Sequence, residues 1–178
     1  FPEADAAGLF VKEADGSPAF VQFWDETGAY LDFTNPATYA WWKARVADAL
    51  LDYGIASTWN DNNEFEIWSE TPRIEGFGQP RRACEAKPLH TLLMIRASRE
   101  AQAAYSPKKR PYLISRSGAA SMQRYVQTWS GDNYTSWETL RYNIRMGLGL
   151  ALSGISNSGH DIGGFAGPAP EPELFLRW

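Results

Sequence analysis

The spacing of apolar and polar positions changes several times along this chain, and each change marks an element. Trp42, Val46, Ala49, Leu50 and Tyr53 recur at helical spacing and should face a core. Asn35 offers an N-cap, Pro36 a first-turn proline and Gly54 a left-handed stop, so the pattern predicts a helix between them. Ile55-Ala56-Ser57-Thr58-Trp59 then reads as a buried strand. Leu89, Leu92, Leu93, Arg96 and Glu100 predict a second helix from Leu89 to Tyr105, with His90 at the surface or capping its start. Pro111 to Ser115 and Tyr125 to Trp129 read as further strands.

Thr135-Ser136-Trp137-Glu138 has the form of a capping box, opening a helix that runs to Ser153. Its core face is expected to be Leu140, Ile144, Leu148 and Ala151, with Gly149 permitting close helix packing. Ile155 to Ser158 is a last strand, and Pro168 to Glu173 bend into one more helix. The opening residues 1–34 differ. Short strands at Gly8–Val11, Phe20–Trp24 and Tyr30–Phe33 are separated by Gly16, Pro18 and Gly28. Trp24 reads first as a packing aromatic, although Trp24-Asp25 would also suit a sugar. Residues 67–88, rich in Pro and Gly, form a long loop after an acidic strand end, where such loops often serve a site.

Alternating helices and strands predict an α/β chain. Four strands, ending near Asp61, Arg116, Asp132 and Asp161, would make part of a (β/α)8 TIM barrel, which needs eight strands and about 250 residues. The division expected is a β-rich segment, 1–34, packed on a partial barrel, 35–178, that is truncated at both ends. The eight residues between Arg116 and Tyr125 are short for a helical crossover.

Composition narrows the function. A chain of 178 residues can bury a substantial core, and a net charge of −4, with Lys108-Lys109-Arg110 before a strand as the only basic cluster, argues against nucleic-acid or anionic-membrane partners. The longest largely apolar run, Met146 to Leu152, is too short to span a bilayer. The single Cys84 has neither a disulfide partner nor metal-ligand companions. No targeting segment is visible, but the chain begins at Phe1 and is expected to lack the native N-terminus, so location stays open, with only a slight leaning to the cytoplasm.

The chemistry gathers in two stretches, Trp59-Asn60-Asp61-Asn62-Asn63-Glu64 and Trp129-Ser130-Gly131-Asp132-Asn133. Each places a carboxylate at a strand end beside a Trp and amides. Two such carboxylates suit glycosidic cleavage, one as nucleophile and the other as general acid and base. A helix–loop–helix calcium loop fits poorly, because the acidic and amide residues are consecutive and enclose no Gly. A non-catalytic carbohydrate-binding module is the alternative from another class, although long amphipathic helices do not suit it.

Asp61 in its run resembles the W-x-D-x-N-E nucleophile motif of glycoside hydrolase family 31, the α-glucosidase family. Arg116-Ser117-Gly118, followed sixteen residues after the Arg by Asp132 in Trp-Ser-Gly-Asp-Asn, resembles that family's second signature. Gly159-His160-Asp161-Ile162-Gly163-Gly164-Phe165 resembles the third. The resemblance covers nearly all of residues 20–178 and implies a retaining α-glycosidase acting on an α-linked oligosaccharide or glycoside, with no metal or organic cofactor. It implies Asp61 as nucleophile and Asp132 as acid/base. Arg116, Asp161 and His160 would then bind sugar hydroxyls, with Trp59 and Trp129 beside the pocket. Glu64 would organise the loop, and the amides of Asn62 and Asn63 would favour an ionised Asp61. Between Arg116 and Tyr125 it implies a substrate-side loop with only a rudimentary helix. The chain is therefore expected to be an internal piece whose open sheet edges are covered by the rest of the barrel or by another copy. Family members include transglycosylases that use the same two acids. Asn60 and Asn62 replace the apolar residue and the Met that many members carry, which weakens any choice of substrate.

Overall fold

The computed structural model describes all of residues 1–178. In chain order it contains α1 (Pro2–Ala6), the hairpin β1 (Phe20–Phe23) and β2 (Glu26–Ala29), α2 (Pro36–Ala49) and β3 (Ser57–Asn60). A second hairpin, β4 (Arg73–Ile74) and β5 (Arg81–Arg82), precedes α3 (Lys87–Tyr105), β6 (Tyr112–Ser115) and β7 (Gln127–Trp129). The chain finishes with α4 (Trp137–Leu152), β8 (Ser158–Gly159) and α5 (Pro172–Arg177).

β3, β6, β7 and β8 form one parallel sheet in that spatial order. The register sets Asn60 beside Ser115, Ser115 beside Thr128, and Trp129 beside Gly159. All four strands therefore end at one lip. The geometry is that of a partial (β/α) barrel, in which functional groups sit at strand C-terminal ends. The short β6–β7 connection holds only a single 3₁₀ turn, Met122–Arg124, so the rudimentary helix expected there is what the chain forms.

The strands are less buried than their sequences suggest. In β3 only Thr58 and Asn60 are covered, by α3: Gln102 Nε2 donates to Thr58 Oγ1 at 2.9 Å, and Ser98 Oγ donates to Asn60 Oδ1 at 3.1 Å. Ile55, Ser57 and Trp59 are exposed because the opposite face of this open sheet has nothing against it. Ile95 and Leu113 form the sheet–helix core with Met122, Val126 and Ile155.

Asn35 caps α2 as its sequence indicates, accepting a hydrogen bond from Ala37 N at 2.9 Å. The buried face of that region is narrower than expected. Val46 and Leu51 are buried, whereas Ala49 and Tyr53 are exposed, since a 3₁₀ turn at Leu51–Tyr53 rotates the chain before Gly54. α3 begins two residues earlier than expected, with Pro88 in its first turn, and buries His90, Thr91, Ile95 and Ser98 rather than Leu89, Arg96 or Glu100. On α4 the N-cap is Ser136, which accepts from Thr139 N at 3.1 Å, so Glu138 closes no capping box. Ile144, Leu148 and Ala151 are exposed and Asn143 is buried instead. Gly149 has open space around it, so close packing is not its role.

The first 34 residues carry a one-turn helix besides their strands, and they share a core with later residues. Val11, Ala19 and Tyr30 pack with Phe65, Ile67, Ile74, Ala83 and Ala86. The loop expected at 67–88 is thus partly ordered as the β4–β5 hairpin and the first turn of α3. No helix is long and apolar enough to cross a membrane.

Candidate active site

Asp61 and Arg116 follow β3 and β6 directly, and Arg116 N extends the ladder by donating to Asn60 O at 3.0 Å. Their side chains therefore leave adjacent strands at the same height. Asp132 enters from the turn after β7, where Gly131 adopts a left-handed φ of 76°. A side chain at Gly131 would be strained there.

Arg116 collects the carboxylates. Its Nε pairs with Glu64 Oε1 at 2.8 Å, and its Nη1 donates to Asp132 Oδ1 at 3.1 Å and Oδ2 at 3.2 Å. The same Nη1 lies 3.7 Å from Asp61 Oδ1 and 3.3 Å from Asn62 Oδ1. One guanidinium nitrogen thus stands against both candidate acids. Those two oxygens can be no farther apart than the two distances added together, about 7 Å. Desolvation opposes the charge on Arg116, but Glu64, Asp132 and Asp61 outweigh it and hold the group more firmly protonated than usual.

Beneath the lip, the acidic loop is fixed by its second Asn rather than by its acids. Asn63 is buried; its Nδ2 donates to Ser115 Oγ at 2.9 Å and its Oδ1 accepts from Ser117 N at 2.9 Å. Asn63 therefore does not face Asp61, contrary to the expectation that its amide would favour the ionised carboxylate. Asp61 Oδ1 instead accepts from the backbone N of Asn62 at 2.9 Å, with Asn62 at a left-handed φ of 50°. Glu64 is paired with Arg116 Nε.

His90 completes the support from below. It is only 3% exposed, its Nε2 is 2.8 Å from Leu31 O, and its ring stacks on Phe65 with centroids 3.9 Å apart. It is a core residue, not the surface or capping His its position suggested. Burial pushes its pKa down to about 4, against a smaller opposing effect from the Leu31 carbonyl.

Asp161 follows β8 and is held above the usual carboxylate range, first by burial and then by Asp132 and Asp61. His160 packs against α4, with Nε2 3.6 Å from where a Cβ on Gly147 would lie. Burial pushes its pKa down, opposed by the Asn143 carbonyl and by Asp161. Trp59 and Trp129 meet edge to face on the open side of the sheet, centroids 4.7 Å apart.

Two cavities share Glu64 and Arg116. One, of about 460 Å³, is walled by Trp129, Asp132 and Met122. The other, of about 620 Å³, lies between the acidic loop and the β1–β2 turn, where Trp24 and Asp25 form the rim. Trp24 is 81% exposed at a φ of 41°, so it is not the packing aromatic its strand-like setting suggested. Sequence reasoning missed the supporting roles of Asn63, Asn133, Asn143 and His90, having set the first beside Asp61 and the last at the surface. The first two sit inside the acidic motifs, and that adjacency was the available signal; Asn143 and His90 lie in helices and carry none.

A family model described as the glycosyl hydrolases family 31 TIM-barrel domain matches residues 1–178. Alpha-glucosidase 2 of Bacillus thermoamyloliquefaciens is 33% identical over 175 residues, covering 95% of this chain and 22% of that protein. Neutral alpha-glucosidase C of Mus musculus is 33% identical over 199 residues, covering all of this chain and 20% of that protein. Among solved structures, a glucosidase II alpha subunit with alpha3-Glc2 bound superposes with a TM-score of 0.84 at 26% identity, over 99% of this chain and 20% of that one. The cycloalternan-degrading enzyme of Trueperella pyogenes, in complex with isomaltose, superposes at 0.82 with 30% identity, over 98% and 24%. The chain therefore spans about a fifth of the length of the curated relatives it matches.

Proposed function

Since the chain belongs to family 31 of the glycosyl hydrolases and is TIM-barrel domain sequence of that family, we propose that the protein of which it is part hydrolyses α-linked glucosyl or related residues with retention of configuration. The observation that carries this reading is the convergence of Asp61 and Asp132 on Arg116 Nη1. Retaining enzymes hold their two carboxyl groups about 5–5.5 Å apart, and inverting enzymes about 6.5–9.5 Å. A ceiling of about 7 Å between the two oxygens leaves little of the inverting range.

In the first step an Asp61 oxygen attacks the anomeric carbon as the glycosidic C–O bond breaks, and Asp132 gives its proton to the departing oxygen. In the second, water attacks the same carbon, Asp132 takes the water proton, and the Asp61 ester bond breaks. The transition states carry positive charge on the sugar ring. With Asp132 protonated, Asp61 and Glu64 around the single Arg116 still leave the lip net negative where that charge develops, which supports the reading. Arg116 and Asp161 would orient sugar hydroxyls, and the cavity rimmed by Trp24 and Asp25 has room for a further sugar unit. Several of the relatives are named alpha-glucosidases, which supports glucose as the residue cleaved.

The test is the anomer first released. Proton NMR of a fresh hydrolysis by the full-length enzyme should show the α-anomer before mutarotation. The β-anomer appearing first would overturn the retaining mechanism.

A further inference from the structure

We infer that Asn143, which lies in none of the three motifs, is a positioning residue: from within α4 it fixes the Asp132 loop and ties it to the loop carrying His160 and Asp161. The inference deepens the reading of Asp132 as acid/base and rests on it.

Asn143 has no solvent-exposed surface, although α4 exposes most of its apolar side chains. Asn is a poor interior helix residue and is costly to bury. Its Nδ2 donates to Asn133 Oδ1 at 3.0 Å, and that oxygen also accepts from Ser130 Oγ. Asn133 N donates to Gly131 O at 2.9 Å. Asp132 thus sits in a turn whose next residue is held by both side chain and backbone.

The same Asn133 reaches the neighbouring loop. Its carbonyl accepts from Phe165 N at 2.8 Å and from Ala166 N at 3.0 Å, so the segment after Asp161 hangs from the residue after Asp132. His160 itself packs against α4 one turn further on, with Nε2 3.6 Å from where a Cβ on Gly147 would lie. Asn143 accordingly acts on both loops through Asn133, which its amide holds and from which the Phe165–Ala166 segment hangs.

The amide's own oxygen supplies the remaining argument. Asn143 Oδ1 is buried without a partner. A residue placed there only to fill space would be better apolar, because an orphaned buried acceptor is a cost. The donor end therefore accounts for the amide, and what it holds is Asn133.

The test uses the full-length enzyme and two variants. Asn143→Leu keeps the branching and heavy-atom count and deletes the donor, and Asn143→Ala removes the donor together with the bulk. The kcat of each is measured on aryl glycosides of graded leaving-group pKa, with Asp132→Asn in parallel. A displaced proton donor matters most where the leaving group needs protonation. Both variants should lose roughly tenfold or more on the poorest leaving group, with little change on the best and little change in KM. An equal loss across the series, or none, would overturn the inference, as would failure of both variants to fold by circular dichroism. If Asp132→Asn itself shows no leaving-group dependence, the acid/base reading is what has failed, and this inference goes with it.

Discussion

Arg116 Nη1 stands between the two oxygens of Asp132, 3.1 Å from Oδ1 and 3.2 Å from Oδ2. On the proposed mechanism a departing sugar oxygen has to reach this same carboxylate, so substrate should draw Arg116 at least partly away. The planar guanidinium serves Glu64 through Nε at the same time, which an ammonium cannot do from one position. Arg116→Lys should therefore lower kcat/KM by roughly 100-fold, about 2.7 kcal/mol of transition-state stabilisation. Steady-state kinetics on an aryl α-glucoside checks this, and a loss below about threefold would remove Arg116 from the site.

The two acids should separate by leaving group. Asp132→Asn should retain most activity on glycosyl fluorides, which depart with little protonation, and lose it on disaccharides. Asp61→Asn should lose both, since no nucleophile remains. The reverse pattern would exchange the two roles.

His90 predicts an acid limit on stability. Its folded pKa of about 4 lies below the unfolded value of 6.5, so the unfolded chain binds the proton first. Above pH 6.5 the group contributes no pH dependence; between 6.5 and about 4 it withdraws stability as pH falls, by roughly 3 kcal/mol in all. Urea unfolding of the full-length protein across that range should show this slope, and His90→Phe should flatten it. An unchanged slope in the variant would assign the acid sensitivity elsewhere.

Gly164 marks a close approach. At a φ of 93°, a Cβ there would lie 2.5 Å from Thr135 Oγ1 and 2.8 Å from Thr135 Cα. Gly164→Ala should push the Asp161 loop off the start of α4 and cost about 1–3 kcal/mol from strained backbone alone. Thermal unfolding measures it, and an unchanged midpoint would show that the loop yields freely.

Residues 1–178 expressed by themselves should self-associate and turn over no glycoside. β3 and β8 are unpaired sheet edges, and α4 exposes Ile144, Leu148 and Leu152 in one stripe. Sedimentation with an aryl α-glucoside assay decides it; an active monomer would refute the idea that the rest of a barrel, or a second copy, covers these surfaces.

The elements and the acids were legible because their signals are local. Asn35-Pro36 announces a helix start through one side-chain acceptor and one ring, and Gly54 announces through backbone freedom the end of the 3₁₀ turn that follows the helix. The strand-end placement of Asp61, Arg116 and Asp132 follows from apolar runs that stop beside a carboxylate or an arginine. The three motifs could be read in order for the same reason.

Which faces are buried was not local, and there the sequence alone misled. Ile144, Leu148 and Trp59 have the spacing of core residues, yet they face outward because nothing in these 178 residues packs over them. Asn143 and His90 look like unremarkable helix positions, and only the fold brings the first to Asn133 and the second beneath Phe65. Hydrophobic periodicity tells which side of an element is apolar. Which polar group is driven inward depends on the partner it meets there, and that partner lies 10 residues away for Asn143 and 59 for His90.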